Sequence, residues 1–175
     1  MNVLILYASV EGQTRKIARY VEQAVASLGH DVAIFDTGEV TDIPLDKADA
    51  VILAAPVHQR RHPQSFETLL SARQAELGAV KTLLLSVSLN AAFPEGVEEA
   101  WEYVIEMKMR TGLEPDAEAL VAGAVRTGRY DYFAMQVIRH VVLRDQNVDP
   151  KSGEHVFTDW DALSAEVTGF LAAAQ

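Results

Sequence analysis

Cysteine is absent from all 175 residues. That excludes disulfides, thiolate metal sites and cysteine nucleophiles, so any redox chemistry must be carried by a bound cofactor. Basic residues are outnumbered, 15 Lys and Arg against 25 Asp and Glu, for a formal charge of −10. A surface of that sign repels a phosphate backbone, so no nucleic-acid partner is expected. No uninterrupted apolar stretch is long enough to span a bilayer. Met1 runs straight into Val3-Leu4-Ile5-Leu6 with no basic leader or cleavage site, which points to the cytoplasm. Internal repeats and linker-like stretches are missing too, so one domain over 1–175 is expected.

What remains is an ordinary globular balance, 49% hydrophobic and 23% charged, arranged as short apolar runs between helix-period segments. Val3 to Tyr7, Val32 to Phe35, Val51 to Ala55, Leu83 to Val87 and Leu120 to Val125 read as strands. Their continuous apolarity suits a parallel sheet covered on both faces. Ile17, Val21, Ala24, Val25 and Leu28 form a helical stripe ending at Gly29. Phe66, Leu69 and Leu70 mark a second helix. Val97, Trp101, Val104 and Ile105 mark a third, opened by Pro94 and Glu95. Trp160, Leu163, Val167, Phe170 and Leu171 mark the last. This alternation predicts an α/β, doubly wound, five-stranded parallel sheet, with ligands beyond the carboxyl ends of its strands. An insertion at about 126–153 interrupts the last βα unit, before a short strand-like run, His155 to Thr158.

The turn after the first strand reads Ser9-Val10-Glu11-Gly12-Gln13-Thr14. A phosphate monoester needs converging donors, which N–H groups at a helix N-terminus supply in a favourable dipole field. Ser9 and Thr14 add hydroxyls, and Gly12 lets the backbone approach. With neither G-x-G-x-x-G nor a P-loop lysine, a mononucleotide phosphate is the best match. The plainer alternative is that Ser9 and Thr14 simply cap the helix.

At these residues the sequence resembles the flavodoxin superfamily, which implies strand order 2-1-3-4-5. Within it, the sequence is most similar to the bacterial oxygen-independent, quinone-dependent FMN protoporphyrinogen oxidase family. The likeness lies in Leu4-Ile5-Leu6-Tyr7-Ala8-Ser9 with Gly12-Gln13-Thr14-Arg15, in Ser86-Val87, in Val121-Ala122-Gly123-Ala124 with Arg129-Tyr130, and in Val156-Phe157-Thr158-Asp159-Trp160. The inserted segment belongs to it as well. The resemblance implies FMN at three loops: Ser9, Val10, Glu11, Gly12, Gln13 and Thr14 at the phosphate, then Pro56, Val57 and His58, then Ser86, Val87, Ser88, Leu89 and Asn90 at the ring. It also implies oxidation of protoporphyrinogen IX to protoporphyrin IX in haem synthesis, with a quinone as acceptor. Two positions depart from the pattern. Glu11 stands where a hydroxyl residue is usual, and the loop Pro56 to Pro63 offers no tyrosine or tryptophan to stack on the ring. His58 or Arg60 is the candidate planar substitute.

His58, Arg60, Arg61 and His62 read either as a positive rim beside the ring or as an ordinary solvated loop. They lack the third ligand of a metal site. Residues 126 to 144 hold four arginines (Arg126, Arg129, Arg139, Arg144) and one aspartate beside the stripe Tyr130, Phe133, Ala134, Val137, Ile138, Val141, Val142. This segment is a candidate to touch porphyrin propionates or the inner face of the cell membrane. The alternative is packing on the domain or across a homo-oligomer. The acidic run Glu95, Glu98, Glu99, Glu102, Glu106 reads as a solvated face or as a docking surface of an electron carrier. No nucleophile is paired with a base, and no acid or base is assigned. The alternatives to the enzyme are a flavodoxin-type FMN carrier and a flavodoxin-fold module that has lost its flavin.

Overall fold

A computed structural model describes residues 1–40, 42–125 and 154–175. The runs of Val, Ile and Leu form parallel strands β1 (Asn2–Tyr7), β2 (Asp31–Asp36), β3 (Ala50–Pro56), β4 (Lys81–Ser88) and β5 (Ala117–Ala122). They lie in the order β2-β1-β3-β4-β5. Consecutive side chains of a strand point to opposite faces. Val3, Ile5 and Tyr7 therefore join one core with helices α1 (Gln13–Ser27) and α5 (Trp160–Ala173). Leu4, Leu6 and Ala8 join the other, beneath α2 (Gln64–Ala72) and α4 (Val97–Thr111). A short α3 (Gln74–Leu77) follows α2. Covering both faces is what makes an unbroken apolar run the right sequence for these strands.

Three expectations are corrected. The fifth strand begins at Ala117 and leaves the sheet after Ala122. There Gly123 donates its N–H to the Ser88 carbonyl (3.1 Å) and accepts from Phe157 N (3.0 Å), which carries the chain across the end of β4. Ala124–Val125 (β6) then pairs antiparallel with His155–Val156 (β7), bringing together the two ends that flank 126–153. The third long helix is preceded by a 3-10 turn at Pro94–Gly96, and its buried face differs from the predicted stripe. Ala100, Tyr103, Val104 and Met107 are buried while Trp101 and Ile105 are exposed. Helical spacing alone does not say which of two partly apolar faces docks; the sheet selects the one carrying Tyr103.

Strand register positions the site. Tyr7 lies beside Ala54, Pro56 beside Val87 and Ser88 beside Ala122, so the loops after β1, β3 and β4 emerge side by side. Backbone bonds from Ala8 N to the Ala54 carbonyl (3.0 Å) and from Val57 N to the Val87 carbonyl (2.8 Å) hold them together.

Candidate functional site

The turn after β1 is shaped by Ser9, whose Oγ accepts from Gly12 N at 3.1 Å. Gly12 is the N-cap of α1 at φ 97, a left-handed conformation that side chains other than glycine's adopt at a cost. No side chain caps this helix, and its first turn contains no acid. Of the two hydroxyls, Ser9 holds the turn from which α1 starts by accepting from the N-cap residue's own amide. The leading N–H groups of a helix have no intrahelical partners, and here they lie at the carboxyl edge of the sheet.

Two hollows meet at this turn. The larger, about 910 Å³, lies along the outer face of α1 and is bounded by Ser9, Val10, Glu11 and Gly12 together with Arg15, Arg19 and Trp160. The smaller, about 220 Å³, lies between the three loops and is lined by Glu11, Gln13, Thr14, Pro56, Val57, His58, Val87, Ser88 and Leu89. Size favours the first, but the second is where all three strand ends converge, as a doubly wound fold requires of its ligand site. Ser86 does not reach this cleft: it is buried in β4, 3.0 Å from His62 Nε2. Asn90 sits in a 3-10 turn beside it. Gln59, Gly123 and Ala124 also line the cleft, and no local motif marks them for it. Arg126, Arg129, Arg139 and Arg144 lie outside the described residues.

Gln13 supplies a direct test of what the cleft fits. Its Nε2 donates to Thr158 Oγ1 at 3.0 Å, and Thr158 donates onward to the Ala122 carbonyl at 2.6 Å. The remaining amide atom, Oε1, is buried without a partner among the described residues. A buried acceptor left unpaired costs free energy. A ligand with hydroxyl donors along its length, such as a ribityl chain running from phosphate to ring, would satisfy it.

The loop after β3 is a tight two-residue turn. His58 N donates to the Arg61 carbonyl (2.9 Å) and Arg61 N returns the bond to His58 (3.0 Å). Its central residues Gln59 and Arg60 have φ of 49° and 66°, the signature of a type I′ turn, made here without glycine or asparagine. The solvated-loop reading holds for Gln59, Arg60 and Arg61, which are exposed, and fails for His62. Arg60 is paired with Glu99, and Arg61 is paired with Glu67 (3.2 Å). His62 is buried, and burial pushes its imidazole down to about 4, so it is neutral near pH 7. Both guanidiniums of the expected rim are thus met by carboxylates. Burial alone would raise the Glu67 carboxyl, but the guanidiniums of Arg110 and Arg61 hold it below the usual range.

With this arrangement in view, the sequence matches the Flavodoxin domain family over residues 4–150, most of the chain. It belongs to that family. FMN is accordingly the cofactor. The chain is 25% identical over 165 residues to the protoporphyrinogen IX dehydrogenase (quinone) of Escherichia coli K12, covering 94% of this chain and 91% of that protein. This likeness marks the flavodoxin-domain chain as an oxidoreductase. Among solved structures, a short-chain flavodoxin associated with a bacterial microcompartment superposes with TM-score 0.64 at 12% identity, covering 100% of this chain and 99% of the other. Flavodoxin 2 from Bacillus cereus superposes with TM-score 0.58 at 16% identity, covering 99% of each chain. These two likenesses concern the fold.

Proposed function

We propose that this chain is a protoporphyrinogen IX dehydrogenase that uses FMN and passes electrons to a quinone, with all 175 residues serving one flavin domain. The observation that carries this reading is the likeness to the E. coli enzyme across 94% of the chain, which takes in the inserted segment as well as the flavin loops. FMN supplies the redox chemistry when bound. In this reading the N–H groups of the Gly12–Thr14 turn and the hydroxyls of Ser9 and Thr14 bind the phosphate. Gln13 accepts from the ribityl chain. The walls made by Pro56, Val57, His58 and by Val87, Ser88, Leu89 and Asn90 orient the ring and exclude water from one side of it. Arg126, Arg129, Arg139 and Arg144 are the proposed contacts to substrate propionates or to a membrane surface, where a quinone resides. No helix among the described residues is long and apolar enough to cross a membrane.

An anaerobic assay tests this reading. Purified protein loaded with FMN is mixed with protoporphyrinogen IX and a soluble quinone, and porphyrin fluorescence is followed. Porphyrin formation that depends on protein and quinone is the expected result. A yellow protein that cycles its flavin but forms no porphyrin would instead be an electron carrier, a role to which the exposed Glu98 and Glu102 on α4 are suited.

A further inference from the structure

The 58–61 turn is expensive where it stands. Gln59 and Arg60 both occupy left-handed φ, a region the sequence elsewhere reserves for glycine among the described residues. Such a conformation persists only when its surroundings over-determine it. At its ends the turn is tied down by Val57 N on the Val87 carbonyl and by the bond between His62 and Ser86. Among the described residues its tip is held through Arg60. That guanidinium hydrogen-bonds Glu99 and reaches Glu102 (3.5 Å) and Glu106 (3.9 Å). It also lies over the Tyr103 ring, 5.3 Å from the centroid. A single exposed ion pair contributes little, but one guanidinium shared by three carboxylates and a ring face is a network. Glu99 and Tyr103 are held in turn by Asn90, whose Nδ2 donates to Glu99 (3.0 Å) and to the Tyr103 hydroxyl (2.9 Å). The loops after β3 and β4 thus meet on one patch of α4.

We propose that Arg60 is a positioning residue for the flavin cleft: its bond to Glu99 and its seat on Tyr103 hold the strained His58–Arg61 turn in place, so that the wall lined by His58 and Gln59 is already formed before flavin binds. The link to flavin rests on the functional reading above, whereas the holding of the turn does not. The role differs from a charge role, because the guanidinium faces α4 and its charge is met by glutamates.

The test separates turn geometry from charge. Asn-Gly is the dipeptide that adopts a type I′ turn most readily, so Gln59→Asn with Arg60→Gly restores the turn without the anchor. Two quantities are read in the full chain: hydrogen-exchange protection of the Arg61 amide without flavin, and the Kd for FMN from quenching of its fluorescence. Arg60→Ala is expected to lower the protection. If it leaves the turn formed in about a tenth of molecules, the apparent Kd rises about tenfold. The Gln59→Asn/Arg60→Gly double variant is expected to recover both quantities to within about threefold of wild type. Wild-type protection and Kd in Arg60→Ala overturn the proposal, as does a double variant no better than Arg60→Ala. A wild-type chain that does not bind FMN removes the functional reading instead, and the Arg61 amide still decides whether Arg60 holds the turn.

Discussion

His62 shows how much a single residue can hide from sequence. Between Arg61 and Pro63 it reads as a loop histidine, yet it is 2% exposed and bonded to Ser86 inside the β3–β4 region. Burial lowers its affinity for a proton, the Glu67 carboxylate raises it, and Arg110 lowers it, leaving the group at about 4. The unfolded chain, with an ordinary histidine near 6.5, binds more protons than the folded chain between those values. Stability is therefore full above about pH 6.5 and falls as the pH drops towards 4, by about 3 kcal/mol at most from this group. Glu67 and Asp116, whose carboxyls are held low, add their losses as the pH falls into and below the ordinary carboxylate range, at the acid end of this window. Urea unfolding midpoints measured from pH 7.5 to 4 should decline across this window in the wild type and decline less in His62→Gln. Equal slopes would mean the imidazole is not the titrating group.

At the scale of elements, contact between the β4 loop and α4 depends on a glycine that no motif identifies. A Cβ on Gly96 would stand 2.5 Å from the Asn90 carbonyl oxygen and 2.9 Å from its Cα. The backbone angle of Gly96 is one that alanine adopts freely (φ −96), so space alone is at stake. Gly96→Ala must push the Asn90 turn away from α4, loosening its bonds to Glu99 and Tyr103, with an expected cost of about 1–3 kcal/mol. Thermal denaturation measures the cost, and a parallel FMN titration should show weaker binding because Asn90 neighbours the cleft. An alanine variant as stable and as tight as wild type would show that the loop can move without consequence. The helix itself illustrates the limit of periodicity. Val97, Trp101, Val104 and Ile105 form a plausible stripe, but the buried face is the one on which Val104 and Met107 pack into the core against the sheet and Tyr103 meets Asn90 and Arg60.

Across the whole molecule, Thr158 ties together parts far apart in sequence. Its hydroxyl joins Gln13 at the start of α1 to the Ala122 carbonyl at the end of β5, immediately before Asp159 caps α5. Thr158→Val keeps the shape but leaves Gln13 Nε2 and the Ala122 carbonyl without this partner, a loss of about 1–3 kcal/mol. Chemical denaturation reads that loss, and FMN affinity should fall with it, since Gln13 lines the cleft. A valine variant indistinguishable from wild type would remove the bridge from the account. Flavin itself should stabilise the fold, since it binds only the folded chain: at a hundred times its Kd, FMN adds about 2.7 kcal/mol. A melting temperature indifferent to FMN would contradict the site. Much of this was legible in the sequence. Continuous Val, Leu and Ile runs require a sheet covered on both faces, which follows from local chemistry, and the Ser9–Thr14 turn directly after the first of them is the proposed phosphate site. Only the tertiary structure decided that His62 is buried, that Arg60 and Arg61 are paired with glutamates, and that Gln13 reaches Thr158. Those facts depend on which distant side chains the strand order brings within a few ångströms, and pairing across the fold is not encoded in spacing along the chain.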